Sequence, residues 1–191
     1  LHQALRTPIF WCLIGASVVP SLVVTGLAFN QVAILTSRGL PSSFAATTFA
    51  IEAAVAVPVT LAAGWLVDRY PVRYVLMLGQ VLLLVSMACL ALAETMALVI
   101  AYSSWRGASS ALWTVAADVA WPEYFGRKYL GSIRGAGFAV GVVGAAIGPI
   151  PFGLSYDVLG SYTPAILLLM ILPIVAAIAV LQARLPDIDR S

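Results

Sequence analysis

Charged residues are scarce in this chain. Only 9% of its 191 residues are Asp, Glu, Lys or Arg, and 62% are hydrophobic, whereas soluble domains average about 25% charged residues. A soluble core could not bury that much apolar surface, so the composition predicts a polytopic membrane protein. The formal net charge of +2 is too small to suggest a nucleic-acid partner.

Histidine and cysteine are almost missing. The single histidine, His2, lies at the extreme N-terminus, which argues against haem ligation by paired histidines and against an intramembrane Ser-His dyad. Cys12 and Cys89 lie inside apolar runs and are interpreted as small packing residues rather than as a disulfide or metal pair. The sequence has no Gly-x-x-x-x-Gly-Lys-Ser/Thr phosphate loop. We therefore predict neither an enzyme nor a cofactor.

Six apolar segments are long enough to cross a bilayer, whose hydrocarbon layer is ~30 Å thick and requires about 20 helical residues. Their predicted bounds are 8–36, 42–67, 73–93, 96–121, 130–156 and 162–185. We expect residues 1–185 to form one all-α domain of six transmembrane helices, with a polar tail at 186–191. Because the chain begins with Leu and lacks the features of a signal peptide, we interpret it as part of a longer protein.

Basic residues predict the orientation, because Lys and Arg near the ends of spans stay on the cytoplasmic side. Arg38 is the only basic residue expected on one side. The other side receives Arg6, Arg69, Arg73, Arg127, Lys128, Arg184 and Arg190, with Arg134 just inside it. Both termini are therefore predicted to be cytoplasmic in a multi-pass protein of a plasma or inner membrane.

The connector GWLVDRYPVR, at 64–73, joins the second and third segments. It resembles the loop motif of the major facilitator superfamily, Gly-x-x-x-Asp-(Arg/Lys)-x-Gly-(Arg/Lys)-(Arg/Lys). The matching residues are Gly64, Asp68, Arg69 and Arg73, whereas Pro71 and Val72 depart from the motif. An acid at a helix end can offset the helix dipole, and guanidinium groups can pair with it or with lipid phosphate.

Three further stretches resemble the same family. GLSYDVLGSY, at 153–162, resembles the end of its helix 11. WPEYFGRKYLGSIRG, at 121–135, resembles the connector between helices 10 and 11, with Glu123, Arg127 and Lys128 as its charges. ALRTPIFW, at 4–11, resembles the start of helix 7 in oxalate and monocarboxylate carriers. The resemblance covers the chain as helices 7 to 12, and it implies half of a twelve-helix transporter whose substrate lies between two six-helix halves.

The resemblance also implies a role for the connector at 64–73. In this family the loop is thought to latch the two halves together on the cytoplasmic side. The alternative is that Arg69 and Arg73 only anchor the topology. Asp118 and Arg134, at the cytoplasmic ends of the fourth and fifth segments, are interpreted as an interhelix pair or as a gate with Arg69 and Arg127.

Arg106 is the most informative single residue. It lies about 11 residues, or about 16 Å, inside the fourth segment, where a charge costs roughly 2.5 to 3.5 kcal/mol and is expected to face protein or a water-filled cavity. It could bind an anionic substrate, since a guanidinium grips a carboxylate bidentately. Alternatively, it could form an internal ion pair with Glu52, the other deep charge. Glu52 is in turn either a proton carrier or the static partner of Arg106.

Four other residues are candidates for substrate contact. Asn30 and Gln31 could line the substrate path or hydrogen-bond to water and a neighbouring helix. Tyr102 and Trp105 could form an aromatic wall or serve only in packing. Small residues four apart in the fifth segment, such as Gly144 and Gly148, allow close helix packing.

These observations predict secondary active transport by alternating access. The expected substrate is a small organic anion such as a mono- or dicarboxylate, and protons are the candidate coupling ion. The expected partners are the lipid bilayer and a missing N-terminal half. Two other classes remain open: a self-contained six-helix channel or scaffold acting as an oligomer, and an intramembrane hydrolase, which the absence of a histidine within a span disfavours.

Overall fold

A computed structural model describes residues 8–125 and 130–182 of the chain. These residues are almost entirely helical and contain no β-strand. Their helices are α1 (Pro8–Ser37), α2 (Ser42–Arg69), α3 (Val72–Ala91), α4 (Met96–Phe125), α5 (Leu130–Ile147), α6 (Pro149–Leu159), α7 (Thr163–Leu169) and α8 (Ile171–Gln182). The predictions for Arg6, Arg127, Lys128, Arg184, Arg190 and the tail at 186–191 lie outside the described residues.

Five helical stretches of the described residues are long and apolar enough to cross a membrane. They are Phe10–Ser37, Ser42–Arg69, Val72–Ala91, Gly131–Leu159 and Thr163–Gln182. The outward surface is also apolar, with Val158 76% and Leu168 64% exposed. Such a surface suits lipid rather than water. The predicted all-α, multi-pass membrane fold is confirmed.

Helix α4 differs from these five stretches. It has 30 residues, or about 45 Å at 1.5 Å per residue, so its length is sufficient. It is less apolar because it carries four serines, Arg106 and two acidic residues. It packs between α2 and α3.

The predicted fifth span, 130–156, lies in one helical stretch, Gly131–Leu159, with an interruption of one residue. Helix α5 ends at Ile147 and α6 begins at Pro149, and Gly148 between them keeps helical dihedral angles (φ −49°, ψ −46°). Pro149 and Pro151 lack the N–H groups that would bond to carbonyls one turn earlier, so a single uninterrupted helix cannot complete its hydrogen bonds here. Helix α6 continues three residues beyond the predicted end.

The predicted sixth span, 162–185, also has an interruption of one residue. Helix α7 ends at Leu169 and α8 begins at Ile171, and Met170 between them keeps helical dihedral angles (φ −61°, ψ −21°). Pro173 cannot donate a hydrogen bond to the carbonyl four residues earlier, which belongs to Leu169. Positions 183–185 of the prediction lie outside the described residues.

Two boundaries at prolines also correct the predictions. The fourth span was expected to end at 121, but α4 continues through Pro122 to Phe125, because one missing hydrogen bond in a last turn does not end a helix. The connector predicted at 64–73 is reduced to Tyr70 and Pro71. Tyr70 has the extended conformation (φ −121°, ψ 146°) that the residue before a proline favours.

The connectors gather at two ends of the bundle. At the first, the Arg38 end, the Arg38 guanidinium donates to the carbonyls of Leu90 and Ala93 and to the Thr163 hydroxyl, which lies 3.3 Å away. The three connectors 38–41, 92–95 and 160–162 are thereby held together. Partial burial lowers the pKa of Arg38, and nearby Glu94 opposes that shift.

The second end, the Arg73 end, contains the connector 70–71, the start of α1 and the ends of α4 and α8. Phe10 packs at 6.2 Å from Trp121 and 5.9 Å from Phe125, measured between ring centroids. Arg73, Glu123 and Leu181 line a cavity there. The predicted alternation of connectors between two ends therefore matches the described geometry.

A proline inside α1 determines how α1 meets α3 and α4. Pro20 has no N–H to bond to the carbonyl of Ala16, four residues earlier. That carbonyl instead accepts hydrogen bonds from the Gln80 side chain at 3.1 Å and from the Trp113 indole at 3.2 Å. The Ala16 carbonyl, which has no helical donor because of Pro20, thus joins α1 to α3 and α4. The two hydrogen bonds satisfy this buried backbone acceptor.

Glycines allow α1 to approach α5 and α6 closely. A Cβ at Gly26 would overlap the carbonyl of Gly148, and a Cβ at Gly148 would overlap the carbonyl of Leu22. Gly144 is packed against Val18 in the same interface. The close helix packing expected from the small residues at 144 and 148 is present, and Gly26 supplies its other side.

Candidate functional site

Five polar side chains meet inside the bundle, between α1, α2 and α4. Arg106 is ion-paired with Glu52, and the two side chains are only 3% and 15% exposed. The other members are Gln31, Thr48 and Tyr102, all fully buried. We refer to these five residues as the polar cluster.

The hydrogen bonds of the polar cluster form a closed ring. Arg106 donates from Nη1 to the Tyr102 hydroxyl at 3.1 Å, and that hydroxyl donates to Gln31 Oε1 at 3.1 Å. Gln31 donates from Nε2 to Glu52 Oε1 at 3.2 Å and also to the Thr48 hydroxyl. Glu52 closes the ring by accepting from Arg106 Nη2 through its other oxygen, Oε2.

One donor of Arg106 has no partner in the ring. Its Nε is buried and has no hydrogen-bond partner among the described residues. Its guanidinium also lies 5.6 Å from the Tyr102 ring centroid and 5.9 Å from that of Phe49. A buried unpaired donor costs about 1–3 kcal/mol, so the cluster retains a position that a further acceptor would stabilise.

Gly107 allows the ion pair to form. A Cβ at this position would overlap the backbone carbonyl of Glu52. The absence of a side chain lets α4 contact the backbone of α2 at the turn that carries Glu52. The neighbouring Arg106 then reaches the carboxylate across a short gap between two helices.

A cavity of about 420 Å³ lies between α1, α4 and α5. Its wall includes Trp113, Trp121 and Phe138, and a set of hydroxyl side chains: Ser17, Ser21, Thr25, Ser109, Ser110 and Thr114. Ser110 lies one helical turn from Arg106 on α4. The cavity therefore extends along the helix that carries the buried arginine.

Asp118 and Arg134 line the part of the cavity nearest the Arg73 end. They form the interhelix ion pair expected from the sequence, with side chains 59% and 46% exposed. Arg69 does not join them. Its guanidinium instead lies 4.6 Å from the centroid of the Trp65 ring. Arg127 lies outside the described residues, so the gate with Arg69 and Arg127 stays a prediction.

The other residues of the loop motif lie on the surface of the Arg73 end. Asp68 is exposed and makes no ion pair with any described residue. Arg73 stacks 4.9 Å from the Tyr74 ring centroid. Gly64 has open space beside it. These contacts fit either a surface available to a partner or a topology anchor.

Two predicted contact residues lie outside the polar cluster. Asn30 donates a hydrogen bond to the carbonyl of Gly26 in its own helix, at 2.9 Å. Trp105 is 42% exposed on the outer surface. Gln31, Tyr102, Glu52 and Arg106 do come together, so the structure assembles four of the six predicted candidates.

Sequence reasoning missed Thr48, Gly107 and Gln80. Thr48 could have been found, since it lies one helical turn before Glu52 and so shares its face. Gln80 is a polar residue inside an apolar segment, which is also a readable signal. Gly107 gave no signal, because its role depends on a helix that is distant in sequence.

No protein-family model matches this chain, and no curated protein was found to be similar to it. The five long apolar helical stretches define the class of the fold, which is a multi-pass α-helical membrane protein. Its described interior holds a buried ion pair and a hydroxyl-lined cavity.

Proposed function

We propose that this chain is the C-terminal six-helix half of a secondary active transporter resembling the major facilitator superfamily. It would move a small organic anion, such as a mono- or dicarboxylate, by alternating access. The proposal rests on the order of the four family-like stretches in the sequence, together with the geometry of the interior.

A six-span topology requires α4 to cross the membrane with the five apolar stretches. Helix α4 follows α3 after only four residues and runs antiparallel beside it. Ser109 on α4 donates to the carbonyl of Gly79 on α3 at 2.7 Å, deep inside the bundle. Because α4 packs against α3 at this depth, α4 lies in the same membrane environment as α3. The polar residues of α4 are then expected to face protein or the cavity.

The observation that carries the proposal is the buried guanidinium of Arg106 with its unpaired Nε. Replacing a buried ion pair by apolar residues is often neutral or stabilising, so the pair is not explained by stability alone. A guanidinium with a free donor is chemically suited to a carboxylate, and the hydroxyl-lined cavity reaches Ser110, one helical turn along α4 from Arg106.

The position of α2 supports a partner half. Only 6% of its apolar window is buried within the bundle, although it carries Glu52 and Thr48 on its inner face. Its outer face includes Ala50, Ala54 and Val57, which are exposed. This face is where a second six-helix domain would pack across a substrate path.

The test is uptake of radiolabelled formate, acetate, oxalate, malonate and succinate by the full-length protein in proteoliposomes, with and without a proton gradient. Arg106→Lys keeps the charge but loses the planar fork. We expect uptake to fall roughly 10- to 100-fold, since a charge-assisted hydrogen bond is worth about 1.5–3 kcal/mol.

The matched control is Arg69→Lys, an arginine on the surface of the same domain. We expect it to leave substrate affinity unchanged. Removing one member of a buried pair costs 3–5 kcal/mol, so Arg106→Ala is made together with Glu52→Gln to avoid leaving an orphan carboxylate. Normal uptake in that double variant, or no carboxylate uptake by the wild type, would contradict the proposal.

The coupling ion has its own test. Glu52→Gln should abolish stimulation of uptake by a proton gradient while leaving exchange of substrate across the membrane intact. If the gradient stimulates the variant as strongly as the wild type, Glu52 is only the partner of Arg106.

A further inference from the structure

Two donors share the carboxylate of Glu52. Its Oε2 accepts from Arg106 Nη2, while its Oε1 accepts from Gln31 Nε2 at 3.2 Å. The arginine therefore holds the carboxylate by one oxygen only. This one-point contact is unusual for a buried Arg–Glu pair, because the guanidinium and carboxylate geometries match in a two-point contact.

The unpaired donor of Arg106 follows from this division. Nε and Nη2 lie along one edge of the guanidinium, where two parallel N–H groups can meet both oxygens of a carboxylate. Here only Nη2 has its oxygen, and Nε has no partner among residues 8–125 and 130–182. The oxygen that would complete the pair is the one that Gln31 binds.

The amide of Gln31 is itself fixed in orientation. Its oxygen accepts from the Tyr102 hydroxyl at 3.1 Å, and its nitrogen also donates to Thr48. The side chain is fully buried, so no water competes for these groups. Gln31 thus presents N–H groups to Glu52 from a position that three helices determine.

We propose that Gln31 is a positioning residue that keeps Nε of Arg106 free for an incoming carboxylate. By holding Oε1 of Glu52, it prevents the internal carboxylate from bonding to Nε as well as to Nη2. The inference rests on the proposed function, because the acceptor that would use Nε is the carboxylate of the transported anion. Gln31 acts through Glu52 and need not touch that anion.

A double-mutant cycle tests this role. Gln31→Met keeps the length of the side chain and removes its donor, which frees Glu52 to bind both Nε and Nη2. We expect equilibrium binding of oxalate by the full-length protein to weaken about tenfold, because Glu52 then competes with oxalate for Nε. A tenfold change corresponds to about 1.4 kcal/mol of binding free energy. In the Glu52→Gln background, the same Gln31→Met change should leave oxalate binding unaltered.

Gln80→Met is the matched control. Gln80 is also a buried glutamine, 1% exposed, but it donates to the carbonyl of Ala16 outside the polar cluster. The Gln80→Met variant should leave oxalate affinity unchanged. If Gln31→Met does not fold, Gln31→Leu removes the same donor with a different shape, and it should weaken oxalate binding only when Glu52 is present.

The outcomes separate this inference from the proposed function. Equal oxalate affinity in Gln31→Met and the wild type overturns the inference alone, and so does a weakening of the same size with and without Glu52. A wild type that binds neither oxalate nor another small carboxylate overturns the proposed function and this inference with it.

Discussion

At the scale of single residues, the interior depends on how each buried polar atom is satisfied. Glu52 and Arg106 neutralise each other's charge, and Gln31, Thr48 and Tyr102 supply the remaining hydrogen bonds. Such a network is stable only when nearly every member is paired. The one exception, Nε of Arg106, is therefore the atom at which we place the substrate in the proposed function.

Gly107→Ala should disrupt this network without altering any of its side chains. The added methyl group would overlap the Glu52 carbonyl, so α2 and α4 must separate. Overpacking of this kind costs about 1–3 kcal/mol. We expect a lower midpoint of thermal unfolding in detergent.

Gly15→Ala is the control for that measurement. A Cβ at Gly15 meets nothing within 4 Å, and alanine is the better helix former by roughly 0.5–1 kcal/mol. The control should unfold at the same or a higher temperature than the wild type. A Gly107→Ala protein as stable as the control would show that the two helices have room to move apart.

At the scale of helices, prolines divide the apolar segments. Pro20 and Pro58 leave their helices unbroken, whereas the pair at 149 and 151 separates α5 from α6. The difference is physical, since one missing donor can be compensated, as Gln80 and Trp113 do at Ala16, but two within three residues leave the carbonyls of Ala145 and Ile147 without helical partners.

Gly148→Ala tests the packing at that break. The new Cβ would overlap the Leu22 carbonyl in α1, and backbone cannot rotate away as a side chain can. We expect destabilisation of about 1–3 kcal/mol, measured as a lower thermal unfolding midpoint. Gly153→Ala, which lies in α6 with open space around it, should be neutral. Equal midpoints for the two variants would contradict the close packing of α1 against α5 and α6.

At the scale of the whole molecule, the two ends of the bundle differ in their number of basic residues. The Arg73 end has three described basic residues, Arg69, Arg73 and Arg134, whereas the Arg38 end has one. Basic residues near span ends favour the cytoplasm. This asymmetry predicts that the Arg73 end faces the cytoplasm.

Cysteine labelling tests that orientation and the crossing of α4 together. Cys12 and Cys89 are first replaced by alanine, and single cysteines are then introduced as Glu94→Cys and Glu123→Cys at opposite ends of α4. A membrane-impermeant maleimide should label Glu94→Cys from outside intact cells and Glu123→Cys only after permeabilisation. Labelling of both positions from the same side would show that α4 does not cross.

Much of the candidate site was predictable and some was not. Arg106 and Glu52 stand out because each is the only charge deep in its segment, and both belong to the polar cluster. Trp105 was left between an aromatic wall and packing, since its aromatic ring gives the same sequence signal whether it faces the interior or lipid; it is 42% exposed. The role of Gln31 was left between substrate contact and a neighbouring helix, and the sequence could not show that it divides the Glu52 carboxylate.

The sequence by itself determined that this protein suits a lipid environment, and it determined the approximate extent of its helices. Apolar composition, run length and proline position are local properties, and they predict an all-α membrane fold because an exposed backbone in lipid must bond within its own helix. Tertiary structure alone decided which polar groups meet. The closure of the ring from Arg106 to Glu52 depends on Gly107 at the crossing of α2 and α4. The contact of α1 with α3 and α4 depends on the acceptor that Pro20 releases, and both act between segments far apart in the chain.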